Sequence, residues 1–247
     1  MGSYLDNAEA GGDAGSAYVF ARSGAIWAEE AHLTAFDGAV GDYLGISVAV
    51  DGDTTVVGAS GDDTVGGFQV GSAYVFARSG TVWTEQTKLS APDGGSFDEF
   101  GISVALSAGT AVVGAWNDDT PQGADAGSTY VYERSGTAWI MQAKLTASDG
   151  AGGDEFGVSV AVEGNTAMVG AYNDTTPAGT YAGSAYLFGR SGTNWTERTK
   201  LTPPDAASYD QFGASVALSY RTALAGAFED ETPSGAAAGS AWVYWQS

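Results

Sequence analysis

Gly71-Ser72-Ala73-Tyr74-Val75-Phe76-Ala77-Arg78-Ser79-Gly80 is the stretch on which the reading of the fold turns. The same run occurs earlier as Gly15-Ser16-Ala17-Tyr18-Val19-Phe20-Ala21-Arg22-Ser23-Gly24. It returns as Gly127-Ser128-Thr129-Tyr130-Val131-Tyr132, as Gly183-Ser184-Ala185-Tyr186-Leu187-Phe188, and as Gly239-Ser240-Ala241-Trp242-Val243-Tyr244. The five starts are each 56 residues apart, with no insertion or deletion. A period this long and regular marks a stacked or radial repeat architecture.

Within one repeat, Phe100-Gly101-Ile102-Ser103-Val104-Ala105-Leu106 alternates bulky and small residues, the period of two that a strand gives. This is strand a, and its bulky and small faces suit sheets that pack closely face to face. Ser107-Ala108-Gly109 turns the chain into strand b, Thr110 to Ala115. Short Gly-containing links between apolar runs are hairpin signals. A polar loop, Trp116 to Ala126, leads to strand c at Gly127 to Tyr132. Arg134-Ser135-Gly136-Thr137 is another tight turn before strand d, Ala138 to Leu145, and a second long loop, Thr146 to Glu155, opens the next repeat. No segment carries a helical period.

Four short antiparallel strands per repeat is the pattern of a propeller blade. The expected fold is all-β, a single propeller domain over residues 1–247 with repeats starting near 15, 71, 127 and 183 and a partial repeat from 239. The strands run c-d, three full a-b-c-d sets, then a-b-c. Joining the two ends into one blade would close a ring of four blades and leave one strand c in surplus. Such a strand can add to a blade edge or pair with another molecule, so homo-oligomers through edge-strand exchange are one expected outcome. Met1 to Asp6 fall inside a repeat and carry no signal-peptide pattern, which reads as a portion of something longer.

Acidic residues number 30 and basic ones 9, for a net charge of −21. That balance disfavours nucleic acid and anionic membrane surfaces, which would repel the chain. It suits a cation-rich setting, either dissolved salt or bound divalent metal. There is no cysteine, so redox compartment cannot be read. No apolar run approaches a membrane span.

At Phe100-Gly101 … Gly114-Ala115-Trp116 the repeat resembles the FG-GAP repeat, the blade unit of integrin α-chain propellers and of many bacterial and archaeal surface proteins. The pattern recurs at Phe156-Gly157 … Gly170-Ala171-Tyr172, at Phe212-Gly213 … Gly226-Ala227-Phe228 and, with Leu44-Gly45 … Gly58-Ala59-Ser60, in the first copy. The resemblance implies an extracellular or cell-surface module. Family members often carry a calcium loop, Asp-x-Asp-x-Asp-Gly, between the first two strands. Here that place holds Asp51-Gly52-Asp53, Ser107-Ala108-Gly109, Glu163-Gly164-Asn165 and Ser219-Tyr220-Arg221. These are too short and too poor in carboxylates for the oxygens calcium wants, so that site is not carried over.

The acidic residues keep register. Asp42, Asp98, Asp154 and Asp210 precede strand a, and Asp37, Asp93, Asp149 and Asp205 stand five residues earlier. Asp62, Asp118, Asp174 and Asp230 follow strand b, with Asp63, Asp119 and Glu231 beside them. In an up-and-down blade the d–a and b–c loops emerge on one face, so these carboxylates form rings there. One reading is a calcium site in each blade, with Asp98 and Asp118 as the model pair. Others are turn-capping by Asp and a salt-adapted surface. Arg22, Arg78, Arg134 and Arg190, with Lys88, Lys144 and Lys200, also keep register. They read as an anion site or as structural partners of nearby carboxylates. His32 takes the lysine's place in the first copy. Trp27, Trp83, Trp139 and Trp195 read as blade-edge packing. The loop aromatics Trp116, Tyr172 and Phe228 are the better candidates for stacking on a sugar.

No nucleophile–base–acid trio appears, and each Asp recurs in every blade, whereas an active site usually breaks the symmetry of its repeats. The expected function is non-enzymatic: interaction, adhesion or a structural role, with calcium compatible. The alternatives are a multivalent lectin binding a glycan, and a repeat protein whose blades assemble between chains.

Overall fold

The computed structural model describes residues 1–8, 11–233, 235 and 237–245, and these form strands, turns and loops with no helix. Five antiparallel sheets follow one another along the chain. The first has β1 (Gly2–Ser3), β2 (Ser16–Ser23) and β3 (Ile26–Leu33). Three four-stranded blades follow. They are β4 (Leu44–Asp51), β5 (Thr54–Ala59), β6 (Ser72–Ser79) and β7 (Val82–Leu89); β8 (Ser103–Ser107), β9 (Thr110–Ala115), β10 (Ser128–Ser135) and β11 (Ala138–Leu145); and β12 (Ser159–Glu163), β13 (Thr166–Ala171), β14 (Ser184–Ser191) and β15 (Asn194–Leu201). The last sheet has β16 (Phe212–Ser219), β17 (Thr222–Ala227) and β18 (Ser240–Trp245).

Each blade is a meander in the expected order, and strand c extends to the serine before the turn, so the c–d hairpin closes through two residues such as Gly136-Thr137. Strand a is regular only from Ser103 in the second full blade. Its Phe-Gly start bends, with Gly101 at φ 98°, and the first and last copies show the bend as a register shift at Leu44/Ser47 and Phe212/Ser215. A Cβ on Gly101 would stand 2.2 Å from the carbonyl oxygen of Ser72. The Phe-Gly glycine is therefore required twice over, by conformation and by contact.

Four apolar clusters lie between the five sheets. In one, Val56, Val75 and Leu89 of one blade meet Phe100, Val113, Tyr130 and Tyr132 of the next, with Val104 and Leu106 packed on them. Phe100, Phe156 and Phe212 are fully buried there. Bulky residues of strand a thus point back to the preceding blade. The small face, represented by Ala105, turns to the following one. Ser103 Oγ reinforces the joint by donating to the Gly157 carbonyl, 2.7 Å away, as Ser47 does to Gly101 and Ser159 to Gly213.

Two expectations need correction. The chain starts with the tail of a strand b, since Gly2 and Ser3 pair with Ala17 and Ser16 as Gly58 and Ala59 pair with Ala73 and Ser72. The two ends also do not join into a fourth blade. Among the described residues the first and last sheets share no strand pairing, and the blades form an open series. Each sheet is built from strands that follow one another along the chain, and nothing local brings the ends together.

Candidate functional site

The long loops converge as expected. In the d–a loop Phe97, Glu99 and Phe100 donate backbone bonds to Phe68, Gln69 and Val70 of the preceding b–c loop, at 2.8, 3.1 and 2.9 Å. The same ladder joins Glu155 and Phe156 to Asp125 and Ala126. Glu99 and Glu155 hold positive φ of 55° and 57° to make the turn.

Asp42, Asp98, Asp154 and Asp210 are buried beneath these loops. Each accepts a bond from the backbone N–H three residues earlier, at Ala39, Gly95, Ala151 and Ala207, over 2.6–2.7 Å. This is turn-capping by aspartate. Burial, with a contribution from the neighbouring Asp62, Asp118 or Asp174, pushes Asp42, Asp98 and Asp154 up to about 6. Burial raises Asp210 as well. Asp63 and Asp119 cap the b–c loop instead, accepting from the N–H of Gln69 and Asp125.

Asp62, Asp118 and Asp174 have a cation within the chain. Lys88, Lys144 and Lys200 on strand d place Nζ 2.6 Å from these carboxylates and 2.7–2.8 Å from Asp37, Asp93 and Asp149. The buried tyrosines of the strand-c run, Tyr74, Tyr130 and Tyr186, donate to Asp37, Asp93 and Asp149 at 2.8–2.9 Å. Their rings lie 5.1–5.2 Å from the ammonium groups. Burial pulls Asp37, Asp93 and Asp149 upward, but the lysine and tyrosine bonds outweigh it and hold them below the usual carboxylate range. Burial alone would lower the lysines; their two carboxylate bonds raise them. Each full blade thus carries a closed Asp–Lys–Asp–Tyr cluster that ties its two long loops to its outer strands. The tyrosine's part in it was not read from the sequence, although Tyr, Lys and Asp share the 56-residue period.

The first and last sheets differ. His32 takes the lysine's place, 3.7 Å from Asp6 and stacked on Tyr18. In the last sheet no lysine stands beside Asp230 among the described residues. Among those residues no group of three or more His, Cys, Asp or Glu side chains is arranged to hold a metal.

The loop aromatics form a row along this face. Trp116 and Tyr172, half-buried, stack across adjacent blades with centroids 6.4 Å apart and planes at 17°. Trp116 Nε1 donates to Glu99 at 3.1 Å. Glu99 is raised chiefly by burial, and Tyr172 by burial and then by Glu155. Phe228 is exposed at the end of the row. Glu99 and Glu155 are members of this surface that sequence reasoning did not single out.

The remaining registers are joints between blades. Trp83 Nε1 donates to Glu30 at 2.8 Å, and Trp139 Nε1 to Gln86 at 3.1 Å, each on strand d of the preceding sheet. Arg134 and Arg190 reach Thr54 and Thr110 of the preceding blade at 2.9 and 3.3 Å. Arg78 and Arg190 also pair with Glu30 and Glu133, so these cations have partners within the chain.

Comparison with curated proteins finds no match. The family model described as FG-GAP repeat matches four times, at residues 27–76, 83–132, 139–188 and 195–244, each match running from a strand d to the next strand c. Four in-register matches span most of the sequence, and with the blade order and the Phe-Gly joints they establish that the chain belongs to the FG-GAP repeat family.

Proposed function

We propose that the chain is a non-enzymatic, extracellular or cell-surface recognition module that binds a protein ligand on its long-loop face. The observation that carries this reading is the Trp116–Tyr172 stack, an aromatic surface backed by Glu99 and Glu155 in a rigid loop ladder. Aromatic side chains held on a preorganised scaffold are the usual anchors of a protein interface. The acidic loops around them favour a basic partner. Most carboxylates of this face are already committed to capping or to lysine, which leaves them structural rather than catalytic.

A second reading, glycan binding, rests on the same pair, since a flat aromatic face beside a carboxylate can stack on a sugar ring and accept its hydroxyls. Calcium belongs to either reading at the last sheet, where Asp230 is near enough to help raise Asp210 and, among the described residues, no lysine stands beside it.

The test is binding of the purified chain to immobilised extracellular-matrix proteins and to a glycan array, beside a Trp116→Ala/Tyr172→Ala variant. Protein binding lost in the variant supports the first reading, and sugar binding lost in it supports the second. Binding that survives the double substitution would move the ligand to another face.

A further inference from the structure

One position in the d–a loop breaks the repeat on the long-loop face. Its four occupants, in chain order, are Gly41, Phe97, Gly153 and Tyr209. All four backbones are left-handed, with φ of 85°, 72°, 82° and 72°. Glycine adopts that conformation freely, whereas a bulky side chain there is an outlier that strains the backbone. The neighbouring loop imposes it. Each backbone N–H donates to a carbonyl of the preceding b–c loop, at Gly12, Phe68, Ala124 and Thr180, over 2.8–3.1 Å.

The fold does not ask for a ring at this place. A Cβ added to Gly41 or Gly153 meets no atom within 4 Å, so the position points into open space. Phe97 and Tyr209 accordingly stand 56 % and 59 % exposed. Each has a second exposed ring on the loop it bonds to. Tyr209 lies edge to face with Tyr181 at 5.8 Å, and Phe68, whose carbonyl receives the Phe97 N–H, is 68 % exposed. Where the position is glycine that loop carries Gly12-Asp13 or Ala124-Asp125 instead, so the rings come in pairs at alternate joints. Strain kept at an exposed position that breaks the repeat is a mark of function.

These joints flank the Trp116–Tyr172 stack. Trp116 and Tyr172 belong to the blades on either side of the joint at Gly153, and Phe97 and Tyr209 stand at the joints before and after it. The charge around them has one sign. The long loops contain no lysine, arginine or histidine, and Asp63, Asp119 and Asp205 are exposed on them. Lys88, Lys144 and Lys200, which reach this face from strand d, are each held by two carboxylates.

We propose that Phe97 and Tyr209 are the outer anchors of the ligand surface, and that the ligand is an extended, basic segment of another protein. Its apolar side chains pack on the rings, and its lysine or arginine side chains meet the acidic loops. This deepens the protein-binding reading above and rests on it. A segment that reaches both anchors must run along the face across three successive joints, past the central stack. Rings already fixed by a backbone ladder lose little freedom on binding, which is what an anchor needs. Loops without a single cation favour a basic segment and repel an acidic one.

The test is the double variant Phe97→Gly/Tyr209→Gly, which gives both positions the residue that Gly41 and Gly153 already supply. Its thermal unfolding midpoint should equal or exceed that of the wild-type chain, because strain is released. The probe is a displayed library of random peptides selected on the wild-type chain. Enriched peptides should combine lysine or arginine with aromatic or aliphatic residues, and should bind the glycine variant at least about tenfold more weakly. Trp116→Ala/Tyr172→Ala is measured beside it. Peptides lost by that variant but kept by the glycine variant overturn this proposal and leave the protein-binding reading standing; peptides kept by both overturn both. Enrichment of acidic peptides, or of none, overturns the proposal, and the broader reading then rests on its matrix-protein test. So does a sugar whose binding the glycine variant loses. A clearly lowered midpoint in the glycine variant also overturns it, since the rings would then serve the fold.

Discussion

Lys144 Nζ lies 2.6 Å from Asp118 and 2.7 Å from Asp93, so one ammonium on strand d bridges the loop that enters its blade and the loop that joins strands b and c. The same bridge is made by Lys88 and Lys200. Lys144 stands beside Asp118, one member of the Asp98 and Asp118 pair whose spacing suggests a divalent cation.

Lys144→Ala should therefore do two things. It leaves a buried carboxylate without its counter-ion, which costs roughly 3 kcal/mol. For a chain of this size that lowers the unfolding temperature by about 6–12 °C. It also vacates a cation position, so millimolar calcium should restore part of the loss in the variant while stabilising the lysine-bearing chain no more than sodium chloride of equal ionic strength. Thermal unfolding with calcium, with EDTA and with matched salt reads both effects.

Stability should pass through a maximum at mildly acidic pH. Asp42, Asp98 and Asp154 keep their protons in the folded chain up to about 6, against 3.8 as the ordinary value. Between those limits the folded state binds more protons than the unfolded one, so stability falls as pH rises through the window and is regained as pH drops. Below it the sign reverses. Asp37, Asp93 and Asp149 are held under 3.8, and the stability they contribute is lost as they protonate. Denaturant midpoints from pH 3 to pH 8 should trace this curve, and Asp98→Asn should raise the midpoint at neutral pH by removing one costly buried charge.

Gly114→Ala and Gly226→Ala should separate sharply in stability, although the two residues occupy the same repeat position. At Gly114 the new methyl would sit 2.0 Å from the Gly157 carbonyl, a backbone atom that cannot yield without parting two blades. A loss of about 3 kcal/mol or more is expected, from overpacking and the broken joint. At Gly226 the nearest neighbour is the movable Ser215 hydroxyl, and the change in the single chain should stay within about 1 kcal/mol. Urea unfolding of the two variants, at concentrations where the chain is monomeric, makes the comparison.

Salt should stabilise the chain independently of any specific site. The net charge of −21 includes many exposed carboxylates whose mutual repulsion favours the unfolded state. Sodium chloride shortens the range of that repulsion to about 10 Å at 0.1 M and about 3 Å at 1 M. The unfolding temperature should rise over that interval and level off, and an unfolding temperature independent of salt would count against charge repulsion as a significant term.

Much of the blade was legible in the one-dimensional pattern. A strict 56-residue period, alternation such as Val104-Ala105-Leu106, and short Gly links specify strand order, because each hairpin closes on its immediate neighbour. The gathering of the aspartates on one face followed from the same topology. Their partners did not. Lys144 meets Asp93 across 51 residues and Tyr130 meets Asp93 across 37, separations that only sheet pairing and blade packing convert into contact. The Trp116–Tyr172 stack likewise spans two blades and depends on the angle at which they pack.

What the sequence determined by itself was the unit: its strands, its turns, and the glycines at which backbones must approach. What only the tertiary structure decided was how units end and what faces what. Repeating local signals are the same at position 50 as at position 106, yet Val50 is bare and Leu106 is packed, because burial depends on the neighbour a residue finds and not on the residue itself.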